Sequence, residues 1–578
     1  MTIEVKSKPR PINANLLGSS IFGGSAWFAW QATGEVWQWG VVAGFCGLTS
    51  AALAKAGVTH IIEDYKVRLH IKQSRKVSED HGDAKVESFE GRDARGMHKL
   101  LTTIAGLVDG VPIGPPEDNI FTGVLAPPGV GKTSRISLSE VIHQALLGKS
   151  QLIIDVKCDM GPMLIPALRR LGFDVMVINP ARKHIKKCGA TPINLYQPVL
   201  DAVYAKDEMR LDASKLANDH AHMHVPTKVS QDQGNTLFFT NGTKRAIATA
   251  ILVLALTDPA NCTPTGAFNL LNDSKLFIKT LKDFRDHFEA LEEGDRLVGF
   301  VKSEANNLMI HAESDGENRY IETFLEGATQ ALHPFNESGR LANFGSDAVR
   351  KISEMRSKQV IVFVMSPLSH KREFAPFNSM INQAVMTACK YVPDGHPIHI
   401  VGEEMLAYDY TDLTGDMETL REYRVSGTFY FQSLAGLEKK LGKEGVKAFL
   451  AYCDTFIAAG VSSPDESKLL SELLSEATIK KQNYSMSAIA AKVDVSSQEL
   501  GKRLMTDSQI RRMGKSQAWM LCRGMNPILF DLLPDGWGSV DPWCDWIGPH
   551  PIHGTKLPRK PLFKIKYPNL VDMESGNV

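Results

Sequence analysis

Residues 126–133 read Ala-Pro-Pro-Gly-Val-Gly-Lys-Thr. A phosphate-binding loop wants Gly-x4-Gly-Lys-Ser/Thr between a strand and a helix. Gly131, Lys132 and Thr133 match, Gly129 helps the tight wrap, and Ala126 stands where the first glycine is usual. Glycines let backbone N–H groups approach phosphate oxygens, and the N-terminus of the following helix adds positive potential. The stretch Gly129, Val130, Gly131, Lys132, Thr133 and Ser134 is therefore the expected ATP-binding loop. Lys132 would reach the β- and γ-phosphates, and the Thr133 hydroxyl would ligate Mg2+.

Such a site also needs a carboxylate at the end of a neighbouring strand to hold Mg2+, often followed by a Glu that polarises the attacking water. The apolar run Ile398–Val401 leads into Gly402, Glu403 and Glu404. Glu403 takes the metal-holding position usually filled by Asp, and Glu404 that of the base. Gln432 ends a later run, Thr428–Phe431, where a polar side chain can contact the γ-phosphate or its water. Asp155 and Lys157 close the run Gln151–Val156 and would line the nucleotide edge or a subunit contact, or simply form a salt-bridged loop. His220, His222 and His224 form an HxHxH run. Alternate residues of a strand could make a metal site, but on a helix i and i+2 face apart. With no Cys near them, we expect a polar loop.

The elements that must position these groups are legible as short apolar runs. Ile120–Leu125, Gln151–Val156 and Phe173–Ile178 alternate with helical segments Thr133–Leu147 and Met163–Leu171. That alternation is the pattern of a parallel α/β sheet. It lapses over 202–344, which reads as mostly helical, with amphipathic stretches at Thr243–Leu256 and Lys275–Leu291. Strand signals return at Val360–Met365, Ile398–Val401, Thr428–Phe431 and Thr455–Ala458. One sheet interrupted by an all-α insertion accounts for this order. We expect a nucleotide-binding domain in two parts, 77–200 and 346–540, an inserted all-α domain at 201–345, and a surface-wrapping tail at 541–578.

The chain has 578 residues, 43% hydrophobic and 22% charged, with 65 Lys+Arg against 65 Asp+Glu. These values exclude a disordered chain and a polytopic membrane protein, and they argue against coating nucleic acid by bulk charge. The eight Cys form no CxxC pair, which fits a reducing compartment. The amino terminus departs from the average. No charge lies between Arg10 and Glu35, nor between Glu35 and Lys55, and each stretch is long enough to cross a bilayer as a helix. Trp27, Trp30, Trp37 and Trp39 cluster around the Glu35 turn, and Lys and Arg flank the far end of both stretches. By the positive-inside rule, residues 1–76 are expected to form a two-helix transmembrane anchor with both ends in the cytoplasm.

The collinear order of segments resembles the conjugative coupling proteins of type IV secretion, the TraG/TraD group. The resemblance is carried by the anchor, the phosphate-binding loop, IIDVKCD at 153–159, TFLEGATQALHPFNES at 323–338 and VFVMSPLSHKREFAPFNSMINQ at 362–383. GEEMLAY, FYFQSLAGLEKKLG, FIAAGVSSPDESKLLSELL and RLMTDSQIRRMGKSQAWMLCRGMNPI follow in family order. The sequence departs at Ala126, at Val156 for Pro, at Cys158 for Gly and at Glu403 for Asp. The resemblance implies a RecA-like P-loop NTPase core with an inserted all-α domain, held at the bacterial inner membrane and assembling as a homo-hexamer. It implies ATP and Mg2+ as cofactors, and an ATPase that couples a DNA–relaxase complex or secreted protein substrates to type IV secretion channel subunits. Arg421 matches in spacing a family Arg before the last motif strand and would act on a neighbour's γ-phosphate, with Arg424 the next candidate. Two other readings stay open: a double-stranded DNA translocase of the FtsK/HerA type, and a non-hydrolysing membrane scaffold with a degenerate loop.

Overall fold

The structure, a computed structural model, describes residues 2–5, 84–206, 208–226, 235–289, 294–313, 318–342, 350–404, 413–486, 493–554 and 559–567. The expected anchor falls almost wholly outside the described residues. Among the described residues no helix is long and apolar enough to cross a membrane.

Eleven strands form the central sheet. They are β1 (Gly106–Val108), β2 (Val111–Ile113), β3 (Phe121–Leu125), β4 (Ser150–Ile154), β5 (Val175–Ile178), β6 (Ile361–Val364), β7 (Ile398–Gly402), β8 (Val425–Phe431), β9 (Thr455–Ala459), β10 (Gln517–Cys522) and β11 (Ile528–Asp531). Their order across the sheet is β2-β1-β11-β10-β9-β3-β8-β7-β4-β6-β5. The run from β9 to β5 is parallel throughout. The run from β9 to β2 is antiparallel. Parallel strands are covered on both faces, so they read as unbroken apolar runs rather than alternating ones. In β4, Leu152 and Ile154 pack into one core while Ile153 packs into the other; in β6, Val362 and Val364 divide from Ile361 and Phe363 in the same way.

One face is covered by α1 (Leu138–Leu146) and α2 (Met160–Arg170). The other is covered by a helical segment and by a long helix, Lys371–Tyr391. The helical segment comprises α3 (Gln197–Val203), α4 (Glu208–His224), α5 (Asn235–Thr257), α6 (Pro264–Asn272), α7 (Ser274–His287), α8 (Arg296–Glu313) and α9 (Asn318–Leu332). Its core is continuous with that of the sheet face: Tyr196, Val199 and Ile251 belong to the same buried cluster as Leu152 and Phe377. α5 and α9 pack closely because both carry glycine at the contact. A Cβ on Gly242 would lie 2.2 Å from the Phe324 ring, and one on Gly327 would lie 2.6 Å from the Thr243 hydroxyl.

Two expectations are corrected. The carboxyl-terminal segment does not merely wrap the surface. Trp537, Trp543 and Tyr567 are buried in the core over α1, and the Tyr567 hydroxyl meets His143 Nδ1 at 2.6 Å. The density of Trp there reflects burial, not a solvated tail. The histidine run is likewise not a loop but the end of α4. His220 and His224 stand four residues apart on one face and are fully covered. His224 Nε2 pairs with the Tyr196 hydroxyl at 2.9 Å, and the His220 ring lies edge-on to Tyr196.

Burial holds both histidines far below the ordinary 6.5, at about 3. The unfolded chain therefore binds more protons than the folded one between those values. Stability is full above about pH 6.5 and is lost as pH falls, by about 1.4 kcal/mol per pH unit per histidine. Thermal melts of the wild type and of His220→Leu at pH 7.5 and pH 5 check this. The variant should lose distinctly less between the two pH values, whereas equal losses would contradict the assignment.

Candidate functional site

The carboxyl ends of the adjacent strands β3, β8, β7 and β4 meet at one edge, and the loop, Glu403, Glu404, Gln432 and Lys157 all come from the segments that follow them. β3 leads into the loop. The Ala126 N–H donates to Phe431 O at 3.0 Å, tying the ends of β3 and β8 together. Ala126 is fully buried and is not among the residues with positive φ, so the position accepts a side chain where glycine is usual. Gly129 and Gly131 do need to be glycine, with φ of +84° and +83°. Val130 is buried against Gly460, where a Cβ would come within 2.4 Å of it, and this anchors the loop. After Lys132 the chain enters a wide turn, Thr133–Ser137, and continues as α1. The Ser134 hydroxyl turns back to Gly131 O at 3.2 Å.

β7 delivers the two carboxylates. Glu403 is fully buried; one of its oxygens accepts the Thr133 hydroxyl, and the other, Oε2, is buried without a partner. The longer side chain of Glu thus reaches the hydroxyl that the loop offers. Burial pushes the Glu403 carboxyl up. Glu404 sits in the left-handed region, φ +53°, so its carboxylate lies apart from its neighbour's. Its Oε1 is 2.6 Å from Lys132 Nζ and 2.8 Å from Lys157 Nζ, and the Gln432 amide, just past β8, donates to both oxygens. Burial alone would raise Glu404, but the hydrogen bonds from Lys132 and Lys157 outweigh it and hold the carboxyl below its ordinary range.

Lys157 comes from the turn after β4. Asp155 fixes that turn: its two oxygens accept the N–H groups of Asp159 at 3.2 Å and Gly161 at 2.8 Å. Cys158 takes a φ of +58°, a conformation that favours glycine, and its side chain is buried. Burial, then the nearby Glu403, push Asp155 up to about 7. An orphaned buried carboxylate oxygen, beside a hydroxyl and a second buried carboxyl, is a donor set that suits a hard divalent cation. Thr133 and Glu403 are the residues that would hold it.

Sequence reasoning did not single out Glu140, which lies on α1 beneath the loop. It is fully buried and accepts hydrogen bonds from His399 Nε2 at 2.9 Å, from the Thr428 hydroxyl and from the Tyr430 hydroxyl. His399 in turn meets the Ser426 hydroxyl at 2.8 Å. One carboxylate therefore joins the helix after the loop to β7 and β8. Burial would raise Glu140, but its bonds to His399, Thr428 and Tyr430 hold it low. The sequence does not mark it, since its neighbours on the same helix face, Ser137, His143 and Gln144, are polar as well.

Arg421 is not brought to this edge within the chain. Its guanidinium meets Tyr452 O at 2.7 Å and Asp454 Oδ1 at 2.9 Å, and it lies 5.6 Å from the centre of the Phe121 ring. Phe121 begins β3, so Arg421 occupies the opposite end of the strand from the loop. Arg424, with φ +57°, makes long contacts to Asp394 O and Gly395 O at 3.4 Å.

Removing the Glu140 carboxylate strands three buried donors. Glu140→Ala should therefore destabilise the fold by about 3–5 kcal/mol, and Glu140→Gln by clearly less, since the amide oxygen still accepts. Denaturant titration checks this; a midpoint for Glu140→Ala indistinguishable from wild type would refute the network's role.

A family model described as type IV secretory system conjugative DNA transfer matches residues 117–531, well over half of the chain. A search of curated protein sequences finds no match. Among solved structures, the unbound bacterial conjugative coupling protein TrwB is similar at 14% identity, with 76% of this chain and 90% of that chain covered and a TM-score of 0.51. TrwB in complex with ADP and Mg2+ is similar at 14% identity, with coverage of 76% and 91% and a TM-score of 0.50. The likeness is one of fold. The chain belongs to the type IV secretory system conjugative DNA transfer family and has that family's P-loop ATPase fold.

Proposed function

We propose that the protein is a membrane-anchored ATPase that drives a DNA–relaxase complex or secreted protein substrates into a type IV secretion channel. The observation that carries this reading is the convergence of Lys132, Thr133, Glu403, Glu404 and Gln432, from three separate chain segments, at the carboxyl edge of one sheet. That edge is where open α/β sheets bind ligands.

The roles follow from the chemistry of the groups. The loop's N–H groups and Lys132 would bind the phosphates of ATP, and Gly129 and Gly131 supply the positive φ that its tight wrap requires. Mg2+, held by Thr133 and Glu403, would neutralise charge on the β- and γ-phosphates. Glu404, once Lys132 has turned to the phosphates, would accept the proton of the attacking water. Gln432 would orient Glu404 and that water. The supports for DNA and protein cargo, for the secretion channel and for a homo-hexamer are the family and the resemblance of the segments, not the site. Arg421 is proposed as the cation offered to a neighbour's nucleotide. To act so it must leave Asp454, which requires the subunit interface to compete for it.

Phosphate release by the purified chain tests the reading. Lys132→Ala should fall to background, because the charge bridging the phosphates is lost. Glu404→Gln should still bind ATP yet turn over at least roughly a hundredfold more slowly, within the usual range for loss of a general base. If Glu403→Gln alone stops hydrolysis and Glu404→Gln is silent, the two roles are exchanged. Mixed rings of Arg421→Ala and Lys132→Ala chains should recover part of the activity; no recovery in demonstrably mixed rings would remove Arg421 from the mechanism.

The anchor is proposed from the two uncharged stretches and their basic flanks, with both termini and the main body on the cytoplasmic side of the inner membrane. A reporter active only outside the cell membrane should be active when inserted at Gly34 and silent when fused after Lys76. The opposite pattern would reverse the orientation, and silence at both sites would mean that the stretches do not cross.

A further inference from the structure

The Lys132–Glu404 contact poses a charge problem for any nucleotide cycle. Glu404 is a carboxylate with 8% of its side chain exposed, and Lys132, at 7%, is one of two cations on it. The phosphates of a bound nucleotide need Lys132. When that ammonium turns to them, a nearly buried carboxylate would be left beside Glu403 and beside incoming negative charge. A buried charge that loses its partner is strongly disfavoured.

We infer that Lys157 is a positioning residue that keeps Glu404 compensated while Lys132 changes partners, so that nucleotide binding does not strand the carboxylate. The inference rests on the hydrolysis reading above. Three observations carry it. Lys157 Nζ lies 2.8 Å from the same oxygen, Oε1, that Lys132 holds at 2.6 Å, so Glu404 keeps one cation when the other leaves. Gln432 completes the carboxylate's shell but carries no charge, and so cannot replace a lysine. The turn that presents Lys157 is built rather than incidental: the fully buried Asp155 accepts two backbone N–H groups across it, and Cys158 anchors it from a left-handed conformation. Lys157 itself is 40% exposed and comes from the turn after β4, not from the phosphate loop.

In the structure both lysines face Glu404, while Glu403 accepts the Thr133 hydroxyl. With nucleotide bound, Lys132 would serve the phosphates, Thr133 and Glu403 would hold the cation, and Lys157 would remain on Glu404.

The test is a double-mutant cycle on the purified full chain, reading equilibrium binding of a fluorescent, non-hydrolysable ATP analogue with Mg2+. Lys157→Met should weaken binding on the order of tenfold, since Lys132 can engage the phosphates only by exposing Glu404 to an unpaired state. In the chain that also carries Glu404→Gln, the same Lys157→Met change should cost less than about twofold, because no charge remains to compensate. Lys157→Arg should bind within about threefold of wild type, as the charge is kept, and Lys157→Gln should follow Lys157→Met, which guards against a folding defect peculiar to methionine. Wild-type affinity in Lys157→Met would overturn the inference. So would a loss that persists undiminished with Glu404→Gln, which would mark Lys157 as a support of the loop rather than a partner of the carboxylate. If the wild type itself fails to bind the analogue, the hydrolysis reading fails and this inference with it. If the wild type binds and only the coupling is absent, the reading stands and Lys157 has no such role.

Discussion

Glu404 is where the separate parts of this molecule are obliged to agree. Its carboxylate is covered, charged, and met by donors from three places: Lys132 at the mouth of α1, Lys157 after β4 and Gln432 after β8. A carboxylate in that position is stable only if each donor arrives in register, because its burial is otherwise costly. The sheet order supplies the register. β7 lies between β4 and β8, and β3 lies next to β8, so the ends of four neighbouring strands deliver every group. A slip of one residue in β7 would exchange the faces of Glu403 and Glu404 and break both contacts at once.

Beneath that edge the Glu140 cluster performs the matching task for the scaffold. It fastens α1, which continues directly from the turn that starts at Thr133 just after Lys132, to β7 and β8, which lead into the carboxylates and Gln432. The polar atoms are deep in the sheet, and the carboxylate is satisfied by directed donors rather than by water. Directed bonds of this kind fix an angle between helix and strands that apolar packing alone would leave adjustable. The rigid floor and the exchangeable lysines above it are complementary. Geometry is held below, and charge partners change above.

How much of this the sequence disclosed follows from how local each feature is. The phosphate loop is contiguous, and its chemistry restricts residue types at fixed spacing, so Gly131, Lys132 and Thr133 announce it. Glu403, Glu404 and Gln432 were legible because they directly follow apolar runs that can only be buried strands. Lys157 was visible as a residue near the site, but its partner lies 247 residues away and no pattern connects them. Glu140 and its partners on β7 and β8 are further apart still. The strands β1, β2, β10 and β11 give weak sequence signals, because two are only three residues long and the others lie beside turns. The histidine run has a period of two in the sequence, whereas the helix uses the four-residue spacing of His220 and His224. For Arg421, spacing suggested a role at the nucleotide, but the ion pair with Asp454, at the other end of β3, appears only in three dimensions.

One buried carboxylate gives up a lysine when nucleotide binds, and a crystal structure of the chain with an ATP analogue and Mg2+ measures this. Lys132 Nζ should lie on the phosphates and out of hydrogen-bonding range of Glu404, with Lys157 Nζ still about 3 Å from the Glu404 carboxylate. Nucleotide bound with Lys132 still seated on Glu404, and its phosphates held by other residues, would contradict it.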